Sequence, residues 1–274
     1  MIRTAFSTTA CPDWTLDRVA RSAAEWGYAG VELRSFGGGG TELACEPALS
    51  DPEKVRAMFA GVGLRVASIA TGVRFDTPVF PPVVGHILLD RDASIYEGRR
   101  FVELARATGA SCTRVYAYGA PGRGTKRSLV RRIAERLRMV CDHGRHDAGH
   151  VVVENGGAFS SARDLMELVE AVDHPKLAVA YDMQAAVLAE DDVREGLALL
   201  DDLVRIVRVR DAVSDESRAF VESAAELVTN DAFVVLEHPV LWNDALAPAE
   251  RVLAEAAPAL TGWASGVGGR SAVA

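Results

Sequence analysis

The sequence predicts an α/β fold, a single closed (β/α)8 barrel, and three observations carry that expectation. Short apolar runs alternate with longer amphipathic stretches almost from end to end, the runs number eight, and no shift in composition marks a second domain. Parallel strands need helical crossovers and closure removes the sheet edges, so eight β-then-α units favour a barrel, with a doubly wound open sheet as the rival arrangement. The expected domain is 1–262, followed by a C-terminal tail over 263–274.

Taken in order, the strands are expected at Arg3 to Ser7, Gly30 to Arg34 and Leu64 to Thr71. After the second lies a glycine run, Ser35 to Gly40. No GK[ST] follows it and its spacing is not GxGxxG, so it reads as a flexible loop, and no nucleotide cofactor is expected. After the third, the stretch Gly72 to Ser94 carries Pro78, Pro81, Pro82 and His86. It is long for a structureless connection and is expected to act as a lid over the barrel mouth, with His86 weighed as an acid or base. The fourth strand, Cys112 to Tyr118, precedes a helix whose Leu129, Ile133, Leu137 and Val140 recur at helical spacing. The fifth, His150 to Glu154, precedes a second such stripe, Leu165, Leu168, Val169 and Val172, with Ser160 or Ser161 as its cap. Leu177 to Asp182, Arg205 to Asp211 and Phe233 to Glu237 complete the set.

Composition narrows the function. The 274 residues are 49% hydrophobic and 25% charged, the mix of a globular protein with a large core. Thirty basic against 38 acidic residues give a net charge of −8, which on average repels polyanions, so no nucleic-acid partner is expected. Cys11, Cys45, Cys112 and Cys141 show no CxxC spacing, so neither a disulfide framework nor a cysteine zinc site is indicated and a cytoplasmic location fits. No apolar run is long enough to span a membrane, so no membrane partner is expected.

Barrel chemistry sits at the C-terminal strand ends. Strand five ends in Glu154, followed by Asn155-Gly156-Gly157; strand six ends in Asp182; strand eight ends in Glu237. Closure brings these three carboxylates to one mouth, where they cannot all ionise cheaply without a cation or a shared proton. A divalent metal, a buried arginine and a carboxyl kept protonated are three solutions. Helix capping accounts for one such acid but not readily for three. Further mouth candidates are Glu32 and Arg34, which share a face by period two, Tyr116 and Tyr118, Gln184 as a hydrogen-bonding amide, and Trp242 as an apolar wall. Arg114 is expected to begin its strand and to serve structure.

The segments Thr113-Arg114-Val115-Tyr116, Val153-Glu154-Asn155 with Phe159, Tyr181-Asp182, Val207 to Asp211 and Leu236-Glu237 carry a resemblance that spans nearly the whole chain. They resemble the xylose-isomerase-like TIM barrels, the family of sugar isomerases, ketose epimerases, inosose dehydratases and dehydroshikimate dehydratases. The resemblance implies a divalent metal (Mn, Mg or Zn) on Glu154, Asp182, Glu237 and a strand-seven histidine. It also implies that the two glutamates transfer protons on either face of a hydroxy-carbonyl carbon.

The departures are as informative. The metal-binding histidine of strand seven is Arg208 here, other histidine positions of the family are Ala185 and Gly156, and a lysine position is Arg210. Arginine stays protonated and has no lone pair to offer, so it cannot stand in as a ligand. Pointing inward, Arg208 would pair with Glu154 or Glu237 where a metal's charge would otherwise sit, so a site without tightly bound metal is expected. His238 follows Glu237 and by alternation should point elsewhere; it is the remaining candidate for a compensating ligand. The loop after strand seven, Ala212 to Glu216, is short for this family.

The expected function is a sugar isomerase or epimerase acting on a small polyhydroxylated carbonyl compound. Glu154 and Glu237 would act as base and acid, Arg208 would stabilise an enediolate, and Asp182 would hold the metal or its arginine substitute. Glu32, Arg34, Tyr118, Gln184, Arg210 and Trp242 would bind substrate. The alternatives are a lyase or dehydratase on the same scaffold and a non-catalytic barrel that binds a metabolite or partner. A homodimer is the default assembly.

Overall fold

The computed structural model describes residues 2–35, 51–76, 93–119, 125–144 and 149–266. The strands are β1 Ile2–Ser7, β2 Gly30–Arg34, β3 Arg65–Arg74, β4 Cys112–Tyr116, β5 His150–Glu154, β6 Leu177–Asp182, β7 Val204–Val209 and β8 Ala232–Leu236. They pair in sequence order, all parallel, and β8 returns to β1, closing the barrel. Around it lie α1 Leu16–Trp26, α2 Pro52–Gly61, α3 Ala93–Thr108, α4 Lys126–His143, α5 Ala162–Val172, α6 Met183–Leu188, α7 Val193–Leu199, α8 Asp215–Leu227 and α9 Ala249–Ala264. The single (β/α)8 TIM barrel is the observed fold.

Side-chain alternation divides the interior in two. Outward residues such as Val31, Leu33, Val153, Val179, Val207 and Leu236 pack with the helices into one core. Inward residues form a separate, slender lumen of Ala5, Ala67, Cys112, Val152, Ala178, Ala180, Ile206, Phe233 and Val235. Gly30 belongs to this construction, because a Cβ there would stand 2.8 Å from the Phe233 ring. Local signals set the helix starts: Thr15, Asp51, Thr125, Ser161, Asp192 and Ser214 each accept a hydrogen bond from a first-turn amide.

Several boundaries differ from expectation. β3 continues to Arg74 and α3 begins at Ala93, so both ends of the expected 72–94 loop are regular structure. The remainder of the expected lid, with Pro78, Pro81, Pro82 and His86, lies outside the described residues, as do residues 36–40 of the glycine run. β4 ends at Tyr116 rather than Tyr118, because Tyr118 has φ +36°, which no strand accommodates. β7 and β8 stop at Val209 and Leu236, placing Arg210, Asp211 and Glu237 just past the strand ends. α9 runs to Ala264, beyond the expected boundary at 262, and 267–274 lie outside the described residues. Among the described residues no helix is long and apolar enough to cross a membrane.

Candidate active site

The lumen's period of two continues upward into a polar layer at the C-terminal ends of the strands. Ser7 and Glu32 are paired in register, Tyr116 faces Glu154, and Asp182 faces Arg208. Cys112, Arg114 and Tyr116 share the inward face of β4. A register irregularity after Val31 sets Ser68 beside Glu32, where its hydroxyl donates to Oε2 at 2.7 Å.

Arg208 is the centre of this layer. It is buried, with Nη1 2.8 Å from Glu154 Oε2 and Nη2 2.6 Å from Glu237 Oε1. Asp182 Oδ2 lies 3.7 Å from its Nε and Glu32 Oε1 lies 3.8 Å from its Nη1. Arg114, equally buried, grips Glu32 through Nε at 3.2 Å and Nη2 at 3.3 Å, pairs with Glu154 through Nη1, and donates to the Tyr116 hydroxyl at 2.6 Å. Arg210 spans Asp182 at 3.3 Å and Glu237 at 2.5 Å from the solvent side. Four carboxylates thus interlock with three guanidiniums.

The expectation for Arg114 is corrected. It is not a structural residue at the start of its strand, because the strand begins at Cys112, and two residues on, with the same parity, Arg114 enters the lumen. Its signal in the sequence was a charged residue inside an apolar inward-facing row. Asn155 was also missed as a functional residue. Its amide donates to the carbonyl of Asp182 at 3.0 Å and that of Ser160 at 3.1 Å, and its Oδ1 accepts from Asp182 N at 2.6 Å, locking the end of β6. Asp182 in turn caps α6 by accepting from Ala185 N at 2.9 Å, so the capping and clustering roles coexist in one residue.

The other candidates occupy the rim. Tyr118 stacks on Tyr116 with ring centroids 4.7 Å apart. The bare Cα of Gly156 makes room for it, since a Cβ there would meet the Tyr118 ring at 2.2 Å. Arg34 donates to the carbonyl of Thr71 at 2.7 Å, with its guanidinium 5.7 Å from the ring of Trp242. Trp242 itself is exposed on a short 3-10 turn. Gln184 is exposed on the first turn of α6 and is not drawn into the ion-pair layer. His238 turns away, its Nε2 2.7 Å from the carbonyl of Ala247. Asp211 accepts from Val213 N and Ser214 N and shapes the start of α8.

The electrostatics differ between the carboxyls. Burial acts to raise the pKa of Glu237, but Arg208, Arg210 and Arg114 outweigh it and hold the group at about 2. Burial likewise opposes ionisation of Glu32, and Arg114, Arg208 and the Ser68 hydrogen bond overcome it, leaving its pKa below the usual range. At Glu154 the balance reverses. Burial, reinforced by the negative charges of Asp182 and Glu237, outweighs Arg114 and Arg208 and raises its pKa. Arg208 is held firmly protonated: burial opposes its charge, but Glu154, Glu237, Glu32 and Asp182 more than compensate.

These residues do not fit a divalent ion. Among the described residues no group of three or more His, Cys, Asp or Glu side chains is arranged to hold a metal. The reason lies in the donor set: the space between Glu154, Asp182 and Glu237 is filled by a guanidinium, which presents N–H donors and positive charge to the oxygens a metal would need.

The family model for xylose isomerase-like TIM barrels matches residues 20–234. Among solved structures, L-ribulose 3-epimerase superposes with a TM-score of 0.77 at 13% identity over 100% of both chains. The probable 3-DHS dehydratase of petrobactin synthesis from Bacillus anthracis gives 0.71 at 14% identity, covering 95% of this chain and 99% of that one. The 3-keto-D-glucoside 4-epimerase of E. coli gives 0.69 at 14% identity, covering 97% and 100%. No curated protein matches the chain by sequence. At such identities the structural likeness speaks for the fold, and with a family model spanning most of its length the chain belongs to the xylose isomerase-like TIM barrel family.

Proposed function

We propose that this barrel is an enzyme that moves a proton at a carbon adjoining the carbonyl of a small polyhydroxylated compound, as an isomerase or epimerase, and that Arg208 serves in place of a tightly bound metal. One observation carries the reading: four carboxylates face three guanidiniums, leaving the layer one negative charge in surplus, and Glu154, although paired with Arg114 and Arg208, is the carboxyl whose pKa burial raises. A carboxylate whose proton affinity is lifted toward the working pH is a better base than one whose affinity is held low.

In this reading Glu154 takes the proton from carbon, the electron pair passes to the carbonyl oxygen, and the resulting enediolate is met by the N–H groups of Arg210. Arg210 is the arginine of the cluster whose side chain reaches solvent, at 38% exposure, with Arg208 reinforcing the field from below. Return of the proton to the neighbouring carbon, with that carbon's hydroxyl proton passing to the former carbonyl oxygen, completes an isomerisation. Epimerisation needs a donor on the opposite face. Glu237 stays ionised at neutral pH, so that role passes to the phenols of Tyr116 or Tyr118, both of which burial keeps protonated. Ser7, buried beside Glu32 with its hydroxyl unpartnered among the described residues, offers a hydrogen bond to a substrate hydroxyl. Loss of a β-hydroxyl from the same enediolate, leaving as water with the proton carried by Glu154, would give the dehydratase variant.

The test is solvent deuterium incorporation into a panel of ketoses and cyclic polyol ketones, read by mass spectrometry on metal-depleted protein. Exchange that persists without metal and vanishes in Glu154→Gln supports the proposal. Exchange that depends on added divalent ion sinks the arginine assignment. A second reading, a barrel that binds a metabolite without turnover, is favoured by the depth of Arg208, which is 1% exposed and bonded on both Nη atoms. Saturable ketose binding without exchange, retained in Glu154→Gln, would select it.

A further inference from the structure

At the far end of the barrel from the acid cluster, a cavity of about 340 Å³ opens among the N-terminal ends of the strands. Arg65 from β3, Ser111 before β4, His150 from β5, Arg205 from β7, and Asn230 and Asp231 before β8 line it, over the ring of Phe233. This end is basic although the chain as a whole carries −8. Asp231 is shared by two guanidiniums, lying 2.9 Å from Arg65 and also paired with Arg3. Arg205 has no carboxylate within ion-pair distance among the described residues; its Nη1 donates to the carbonyls of Asp202 at 3.1 Å and Val204 at 3.2 Å. The ring of His150, half-buried beside it, has no hydrogen-bond partner among the described residues.

We propose that this cavity binds a phosphoryl dianion, gripped by the guanidiniums of Arg205 and Arg65 and by the imidazole of His150. The donors converge from separate strands, as anion recognition by charge-assisted hydrogen bonds requires. Arg65 already donates to Ser111 Oγ at 3.0 Å, which leaves the serine's own proton free to turn into the cavity. The charge balance agrees. Burial, Arg205 and Lys176 push the His150 pKa down to about 4, and burial lowers that of Arg205 despite the nearby carboxylates of Asp202 and Asp231. An anion would offset the burial cost of both groups and the positive field of Arg205 and Lys176 at His150. The Cys112 thiol, raised to about 12 mainly by burial, stays neutral and adds no competing charge. The proposal does not rest on the reaction assigned to the barrel mouth.

Titration calorimetry of the full chain with inorganic phosphate, and separately with glucose 6-phosphate, against sodium chloride of matched ionic strength tests it, with the His150 ring followed by NMR. Saturable binding that moves the His150 resonances is expected, weakened at least about tenfold in Arg205→Gln. His150→Gln, which breaks no hydrogen bond within the described residues, should weaken binding several-fold and decides the matter should the arginine variant fail to fold. Tighter binding of glucose 6-phosphate would point to a phosphorylated metabolite, and preference for phosphate to the free ion; both support the site. Heats and shifts no different from chloride, or affinity unchanged in the variants, would overturn it.

Discussion

Arg208→Ala converts the charge balance of the mouth into a measurable quantity. The native layer sets four carboxylates against three guanidiniums; the substitution leaves four against two, and a surplus of two negative charges is what one divalent ion neutralises. The lost contacts include Glu154 at 2.8 Å and Glu237 at 2.6 Å, with Asp182 and Glu32 within 4 Å. Removing one member of a buried ion pair costs about 3–5 kcal/mol, because the partner's charge is left without compensation. For a chain of this size each kcal/mol lowers Tm by about 2–4 °C, so a fall of about 6–20 °C is expected at neutral pH. An ion that occupies the vacated space restores about 2.7 kcal/mol once its concentration reaches about a hundred times its Kd. Scanning calorimetry of wild type and variant, with manganese chloride or sodium chloride at equal ionic strength, reads both effects. The variant should regain several degrees with manganese while the wild type does not move. Two results refute the reasoning: equal stabilisation of both proteins by the ion, or a variant Tm within about 2 °C of wild type, as for an ordinary surface substitution.

Glu154→Gln should reduce deuterium exchange by at least about a hundredfold while sparing ketose binding; retained exchange removes Glu154 as the base. Glu237, held at about 2 against its ordinary 4.5, contributes stability that is present above pH 4.5 and lost as the pH falls toward 2. That contribution amounts to about 3 kcal/mol, so Glu237→Gln should flatten the acid limb of a stability–pH curve from urea unfolding. Glu154 has the opposite sign: its raised pKa contributes stability present below pH 4.5 that is lost as the pH climbs through the folded-state value, and Glu154→Gln should remove that decline. Asn155→Ala leaves the buried amide and carbonyl of Asp182 without their side-chain partner, at a cost of about 1–3 kcal/mol for each group left unpaired, checked by urea midpoints. Gly156→Ala should displace Tyr118, since its new Cβ would lie 2.2 Å from that ring, and a change in tyrosine fluorescence or near-ultraviolet dichroism at preserved fold would report it.

Much of the architecture could be read along the chain because it depends on neighbours in sequence. The eight apolar runs, the helical stripe from Leu129 to Val140 and the Ser161 cap are each written within a few residues, and the structure reproduces them. The convergence of Glu154, Asp182 and Glu237 was readable for a related reason: once closure is assumed, strand ends must meet. Boundaries were less readable where backbone geometry overrides composition, as at Tyr118, whose positive φ ends β4 within an otherwise apolar run.

What the chain alone determined, then, was the barrel and the crowding of acids at its mouth, together with an arginine, Arg208, near the end of the seventh strand. Only the tertiary structure decided which charges pair. Arg114 lies 40 residues from Glu154 and 82 from Glu32, yet it bridges them, while Arg210 and Arg208 together pin Glu237, and at Glu154 burial and the charges of Asp182 and Glu237 outweigh its two arginines. Coulomb energy follows separation in space and the dielectric around each group, and neither is a function of position along the polymer.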